Sequence, residues 1–135
     1  MTSGKRQWHG LLLAVLVTAC GADPATSRGR AELFLDAYYV LIDLPRAAEH
    51  TAGVARAKVE QGIALTEGQA AAEAGTRPRV RYQLAEEHPE GEDTVTYVYL
   101  ANITADGDAS QRKFVLTVRK QDEGWRVTNF SEFTP

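Results

Sequence analysis

The chain has 135 residues, enough for one domain but not two, with an ordinary globular balance of 44% hydrophobic and 24% charged residues. Its 15 basic residues stand against 18 acidic ones, a net charge of −3, which argues against a nucleic-acid binder, whose surface concentrates positive charge. The single cysteine, Cys20, excludes an intramolecular disulfide and a cysteine-rich metal site, so the core has to hold the fold.

Lys5 and Arg6 precede an apolar run, Leu11-Leu12-Leu13-Ala14-Val15-Leu16-Val17. The run is shorter than the roughly 20 residues a membrane-spanning helix needs, which is the layout of a cleavable export signal. It closes on Val17-Thr18-Ala19-Cys20, which resembles the lipobox of bacterial lipoproteins: an aliphatic residue, a small one, Ala or Gly, then Cys. The resemblance implies a signal peptide over residues 1–19, cut so that the Cys20 thiol carries diacylglycerol. A single acyl chain binds membranes only marginally, so a stable anchor carries more than one. Gly21 stands where Asp would resemble an inner-membrane retention signal. The expected address is therefore the cell envelope, on the outer membrane facing the periplasm in a cell with two membranes. Loss of the leader leaves 13 basic residues against 18 acidic ones. Residues 20–30, small and polar after the cysteine, read as lipidated Cys20 and a flexible tether, with the folded domain over 31–135.

Ala31, Phe34, Leu35, Tyr38, Tyr39, Leu41 and Ile42 recur at helical spacing, and the pattern predicts a helix over about 28–42. Asp43-Leu44-Pro45 breaks it. Asp43 is placed to cap a second, short helix to about His50, with Pro45 in the first turn, where a missing N–H costs little. Residues 51–75 are Ala-rich and read as one or two further helices, weakened by Gly53, Gly62 and Gly68 and ending near Pro78.

Beyond Pro78 the period changes to two. Residues 79–84 alternate as a half-buried strand, and the polar stretch 86–93, containing Pro89 and Gly91, reads as a turn. Residues 94–104 form a long strand with Val95, Tyr97, Tyr99 and Ile103 on one face. After the turn signal Ala105-Asp106-Gly107-Asp108, residues 112–120 put Phe114, Leu116 and Val118 on one face. A last strand follows over 125–133. The class is α+β: N-terminal helices packed on a curved antiparallel four-stranded meander sheet.

Two segments carry a second resemblance: residues 31–39 with Asp43-Leu44-Pro45-Arg46-Ala47-Ala48, and the closing Gly124-Trp125-Arg126-Val127-Thr128-Asn129-Phe130. Over about 30–135 the chain resembles the nuclear transport factor 2-like superfamily, whose cone-shaped fold wraps a sheet around a helix. That superfamily includes ketosteroid isomerase and polyketide cyclases beside many lipoproteins without an assigned role. It often carries an extra strand or hairpin before the meander, where this chain reads as helix.

An isomerase-like site needs a carboxylate base facing a hydroxyl donor in an apolar pocket. Tyr38 or Tyr39 could donate and Asp36 or Asp43 accept, but Asp43 has work as a cap and Asp36 falls on the solvent side of its helix. His50 and His88 lack partners at metal-ligand spacing. No residue therefore earns a catalytic assignment, and no metal or cofactor is implied. Tyr38, Tyr82, Tyr97, Tyr99 and Trp125 are the candidate pocket, where hydroxyls and an indole would orient a small apolar ligand; the same rings could equally be a cross-strand core cluster. Arg79, Arg81, Arg112, Lys113 and Arg119 form a solvated face or a docking surface for an acidic partner. The expected function is an anchored envelope lipoprotein that binds a small ligand or an envelope protein. The alternatives are an isomerase- or cyclase-like enzyme in the same cone, and a structural module that pairs as a homodimer.

Overall fold

The computed structural model describes residues 21–69 and 77–135. Cys20 with the lipobox-like residues before it, and the end of the Ala-rich stretch, lie outside the described residues.

Thr26 starts the first helix, α1 (Ser27–Leu35), because its side chain accepts the otherwise orphaned N–H of Gly29 at 3.0 Å. The helix thus begins inside the stretch expected to be tether. It does not run on regularly to residue 42. From Asp36 to Val40 the coil widens into a π-helical turn, and the Leu41 N–H donates to the Asp36 carbonyl at 2.8 Å. Asp43 then caps α2 (Leu44–Glu49), accepting from the Arg46 N–H at 3.2 Å, as expected of it. A single helix, α3 (Gly53–Thr66), follows.

Between α2 and α3 the chain touches the sheet edge. Thr51 makes an isolated parallel bridge to Val127, with Ala52 N–H donating to the Val127 carbonyl and Val127 N–H to the His50 carbonyl, both at 2.9 Å. This contact stands where the resemblance called for an extra strand.

The sheet has the order β1-β2-β3-β4, all antiparallel: β1 (Arg79–Glu90), β2 (Thr94–Ala105), β3 (Asp108–Gln121) and β4 (Gly124–Phe133). The expected turn over 86–93 is mostly strand. Glu86 to Glu90 pair with Val98 to Thr94, and Pro89 is accommodated because β1 is an edge strand that needs no further ladder donor. A bulge between Leu84 and Glu86, and another between Thr117 and Val118, shift the register; bulges of this kind bend a sheet. Asp106 and Gly107 both take positive φ, +52° and +82°, which closes the β2–β3 hairpin with the tight turn that matches strand twist.

One sheet face meets the helices. Val95, Tyr97, Tyr99 and Ala101 of β2 lie beside Phe114, Leu116 and Val118 of β3 and Val127 and Phe130 of β4; all are buried, and Phe34, Leu35, Ala47, Ala55 and Val59 cover them from the helical layer. Lys58 fastens α3 to β4: its ammonium donates to the Phe130 carbonyl at 2.7 Å and stands 5.0 Å from the Phe130 ring centroid.

Candidate functional site

The five candidate pocket residues separate into two groups and one outlier. Tyr82, Tyr97 and Tyr99 come together on the inner face of β1 and β2, with Tyr82 edge-on to Tyr99 at 5.5 Å and Tyr97 tilted against Tyr99 at 6.2 Å. Their rings form the floor on which α1 lies, and Tyr97 and Tyr99 are fully buried. The Tyr82 hydroxyl donates to Asp36 Oδ1 at 2.6 Å, and the Tyr97 hydroxyl shares a 2.5 Å hydrogen bond with Ser27 Oγ. The Tyr99 hydroxyl is buried with no partner among the described residues. Burial holds the Tyr82 and Tyr99 phenols far above their usual range, and for Tyr82 the hydrogen bond to Asp36 adds to that.

Tyr38 belongs to a second ring cluster at the end of α1. It stacks on Phe34 at 5.4 Å and meets Tyr39 and Phe130 edge-on, while Tyr39 stacks on Phe114 at 4.0 Å. These rings fill the space between helix and sheet. Trp125, near the start of β4, is partly buried against the core and belongs to neither ring cluster.

The catalytic alternative placed Asp36 on the solvent side of its helix. Asp36 is instead half-buried and engaged by Tyr82; it keeps helical geometry at the end of α1, one turn beyond Glu32, whose carbonyl accepts its N–H. With Glu32, Arg28 and Asp23, this pair borders an open polar depression, and Arg28 is itself paired with Glu32 at 3.0 Å. The carboxylate and the phenol are already bonded to each other, and their surroundings are polar. His50 Nδ1 accepts a 2.8 Å hydrogen bond from Arg30 Nη1; burial, then the Arg30 charge, holds its pKa below the usual value. His88 is exposed, 3.7 Å from Glu86. No group of three metal-ligating side chains occurs among the described residues.

The basic set also divides. Arg112 turns to Glu132 at 3.3 Å, Arg119 Nε donates to Thr94 Oγ1 at 3.3 Å, and Arg79 and Arg81 are exposed.

A large, mostly apolar space among the described residues lies elsewhere, at the end of the helical layer. A cleft of about 840 Å³ is lined by Leu41 and Ile42 after the π-helical turn, Leu44 and Pro45 of α2, and Ile63 and Ala64 of α3. Its size falls within the roughly 300–1,000 Å³ of small-molecule pockets. Of the five polar residues that line it, Glu67 and Gln69 are exposed and the other three are engaged. Glu60 pairs with Arg56 at 3.0 Å, Thr66 Oγ1 donates to the Gly62 carbonyl at 2.9 Å, and Arg77 Nη1 donates to the Leu41 carbonyl at 2.8 Å. Leu41 and Ile42 are 43% and 47% exposed. The sequence pattern counts both as core residues, because it assumes a regular helix through residue 42. The available signal was the apolar run Leu41-Ile42 standing directly before the capping Asp43, where a helix cannot bury both.

No family model matches the chain, and no curated protein matches it. Solved structures do, at the level of fold. A protein assigned as a calcium/calmodulin-dependent protein kinase type II association domain from Thiobacillus denitrificans aligns at 19% identity and a TM-score of 0.61, covering 79% of this chain and 93% of that one. An NTF-2 like protein of unknown function from Shewanella oneidensis aligns at 11% identity and 0.57, covering 76% and 92%. A ketosteroid isomerase-like protein from Erwinia carotovora atroseptica aligns at 14% identity and 0.57, covering 83% and 97%. The chain thus has the nuclear transport factor 2-like fold. Likeness at these identities extends to the fold alone, since one fold carries many functions.

Proposed function

We propose that the chain is an envelope lipoprotein, anchored through Cys20, whose domain binds a small apolar ligand without transforming it. The observation that carries the binding reading is the apolar cleft of about 840 Å³, lying beside a cone whose interior is filled by rings. The only carboxylate–phenol pair described above, Asp36 with Tyr82, borders the polar depression and not this cleft, so apolar binding and acid–base groups are separated. That separation disfavours the isomerase-like alternative, which needs both in one place. Native mass spectrometry of the gently purified chain tests the reading: a reproducible adduct of small-molecule mass supports it, and a clean protein mass counts against it. Cys20→Ser tests the anchor separately. It should abolish acyl labelling; membrane retention unchanged by the substitution would remove the lipoprotein proposal.

A second reading, a homodimer, has its own observation. On the sheet face away from the helices, Gln83, Leu100, Lys113 and Phe133 align across the four strands. Leu100 and Phe133 are 42% and 51% exposed there. The likeness to an association domain is consistent with such pairing.

A further inference from the structure

Ile42 combines two properties that do not belong together. Its φ is +52°, in the left-handed region, where a β-branched side chain is a genuine outlier. Yet the core does not use the side chain, which is about half exposed and stands in the lining of the apolar cleft. The backbone on either side leaves it no way out. The Asp43 N–H donates to the Ala37 carbonyl at 2.8 Å, Asp43 Oδ1 caps α2, and the Leu41 carbonyl is held by Arg77. The π-helical turn Asp36–Val40 ends immediately before this point. Strain that neighbouring contacts over-determine is characteristic of binding and switching sites.

We infer that Ile42 is a ligand-contact residue, held in left-handed backbone so that its side chain stands in the cleft, and that the occupant is an uncharged, hydrocarbon-rich molecule. The inference rests on the binding reading and deepens it. The class follows from the lining. Leu41, Ile42, Leu44 and Ile63 offer hydrocarbon, Glu60, Thr66 and Arg77 are engaged with protein partners, and the remaining polar lining, Glu67 and Gln69, is solvent-exposed past the end of α3, so recognition falls mainly to apolar contact.

The chain carries three isoleucines, Ile42, Ile63 and Ile103, which makes methyl labelling a direct readout. Ile42 and Ile63 line the cleft, and Ile103 lies on β2 against the core. The full chain, labelled at the isoleucine δ1 methyls, is titrated with 1-octanol and followed by nuclear magnetic resonance. The Ile42 and Ile63 methyls should move together and the Ile103 methyl should stay. Ile42→Asn relieves the backbone, since Asn tolerates left-handed φ, and removes the apolar contact. Its octanol affinity, read from Ile63, should fall about fivefold to tenfold, while its urea midpoint stays level or rises. Ile42→Val keeps most of the apolar surface and should bind within about threefold of the parent. Weaker binding together with a lowered midpoint in Ile42→Asn would mark a merely structural residue and overturn the inference. Parental affinity in Ile42→Asn, with Ile63 still shifting, would overturn it and leave the binding reading standing. Octanoate or octylammonium binding more than about tenfold tighter than octanol would overturn the uncharged class. Failure of any octanol concentration to move either cleft methyl would overturn the binding reading and the inference with it.

Discussion

The Tyr82 hydroxyl donates to Asp36 Oδ1 at 2.6 Å and so ties the sheet edge to the π-helical turn, 46 residues away in sequence. Its loss in Tyr82→Phe should cost about 1 kcal/mol, below the range for buried charged hydrogen bonds because Asp36 opens onto a solvated depression and can rehydrate. Urea unfolding of the two chains measures it. Tyr39, Tyr82 and Tyr99 all have phenols raised above the ordinary value of 10.0, burial being the first cause in each. A raised phenol binds its proton more tightly when folded, so stability is complete below about pH 10 and is lost as the pH climbs beyond it. Tyrosinate absorbance from these three residues should appear together with the loss of circular dichroism, not before it.

Acid acts through His50. Its pKa lies below the ordinary value of 6.5, because burial and then the Arg30 guanidinium disfavour the imidazolium; Arg126 and Arg46 add to this and Glu49 opposes it. The unfolded chain therefore takes up a proton that the folded chain refuses, and stability falls as the pH drops below about 6.5. His50→Gln should make the fall between pH 7 and pH 5 shallower. Paired urea midpoints at the two pH values decide it, and equal slopes in both chains would remove His50 from the account.

Gly29 is buried under the residues that lead into α1, and a Cβ there would overlap the Asp23 carbonyl. Elsewhere in a helix Gly→Ala gains up to about 1 kcal/mol. Here Gly29→Ala should destabilise by about 1–3 kcal/mol, or drive residues 21–26 off the helix. A thermal melt reads the first outcome and faster proteolysis at 21–26 the second.

The layer architecture was legible because its signals are periodic and redundant. Val95, Tyr97 and Tyr99 alternate with Thr96 and Val98, and Phe114, Leu116 and Val118 repeat the pattern on the neighbouring strand. Asp43 and Pro45 marked α2 through capping chemistry. Two boundaries were not legible, for reasons of context. Pro89 reads as a breaker until β1 is known to be an edge strand. Ile42 reads as a core residue until the π-helical turn is known to rotate it out of the helix. Of the aromatic set, Tyr82, Tyr97 and Tyr99 share a sheet face, but alternation cannot say whether rings surround a space or fill it. Tyr39 on Phe114 and Phe34 against Phe130 fill it. The cleft depends on backbone geometry between two helices, which no periodic pattern records.

The outer sheet face offers the remaining test. Leu100 and Phe133 flank Lys113 across three strands, and an exposed pair of large apolar side chains there has no function in the core. Replacing both, Leu100→Asp with Phe133→Asp, should leave the fold intact, because neither residue is buried. Surface substitutions of this kind change stability by only about 0.5 kcal/mol. If this face joins two copies, the parent chain sediments as a dimer and the double variant as a monomer, since four carboxylates would then crowd one symmetric interface. Sedimentation of both chains as monomers would remove the homodimer and leave the apolar cleft as the site to pursue. A dimer that survives the double substitution would move the interface to another face.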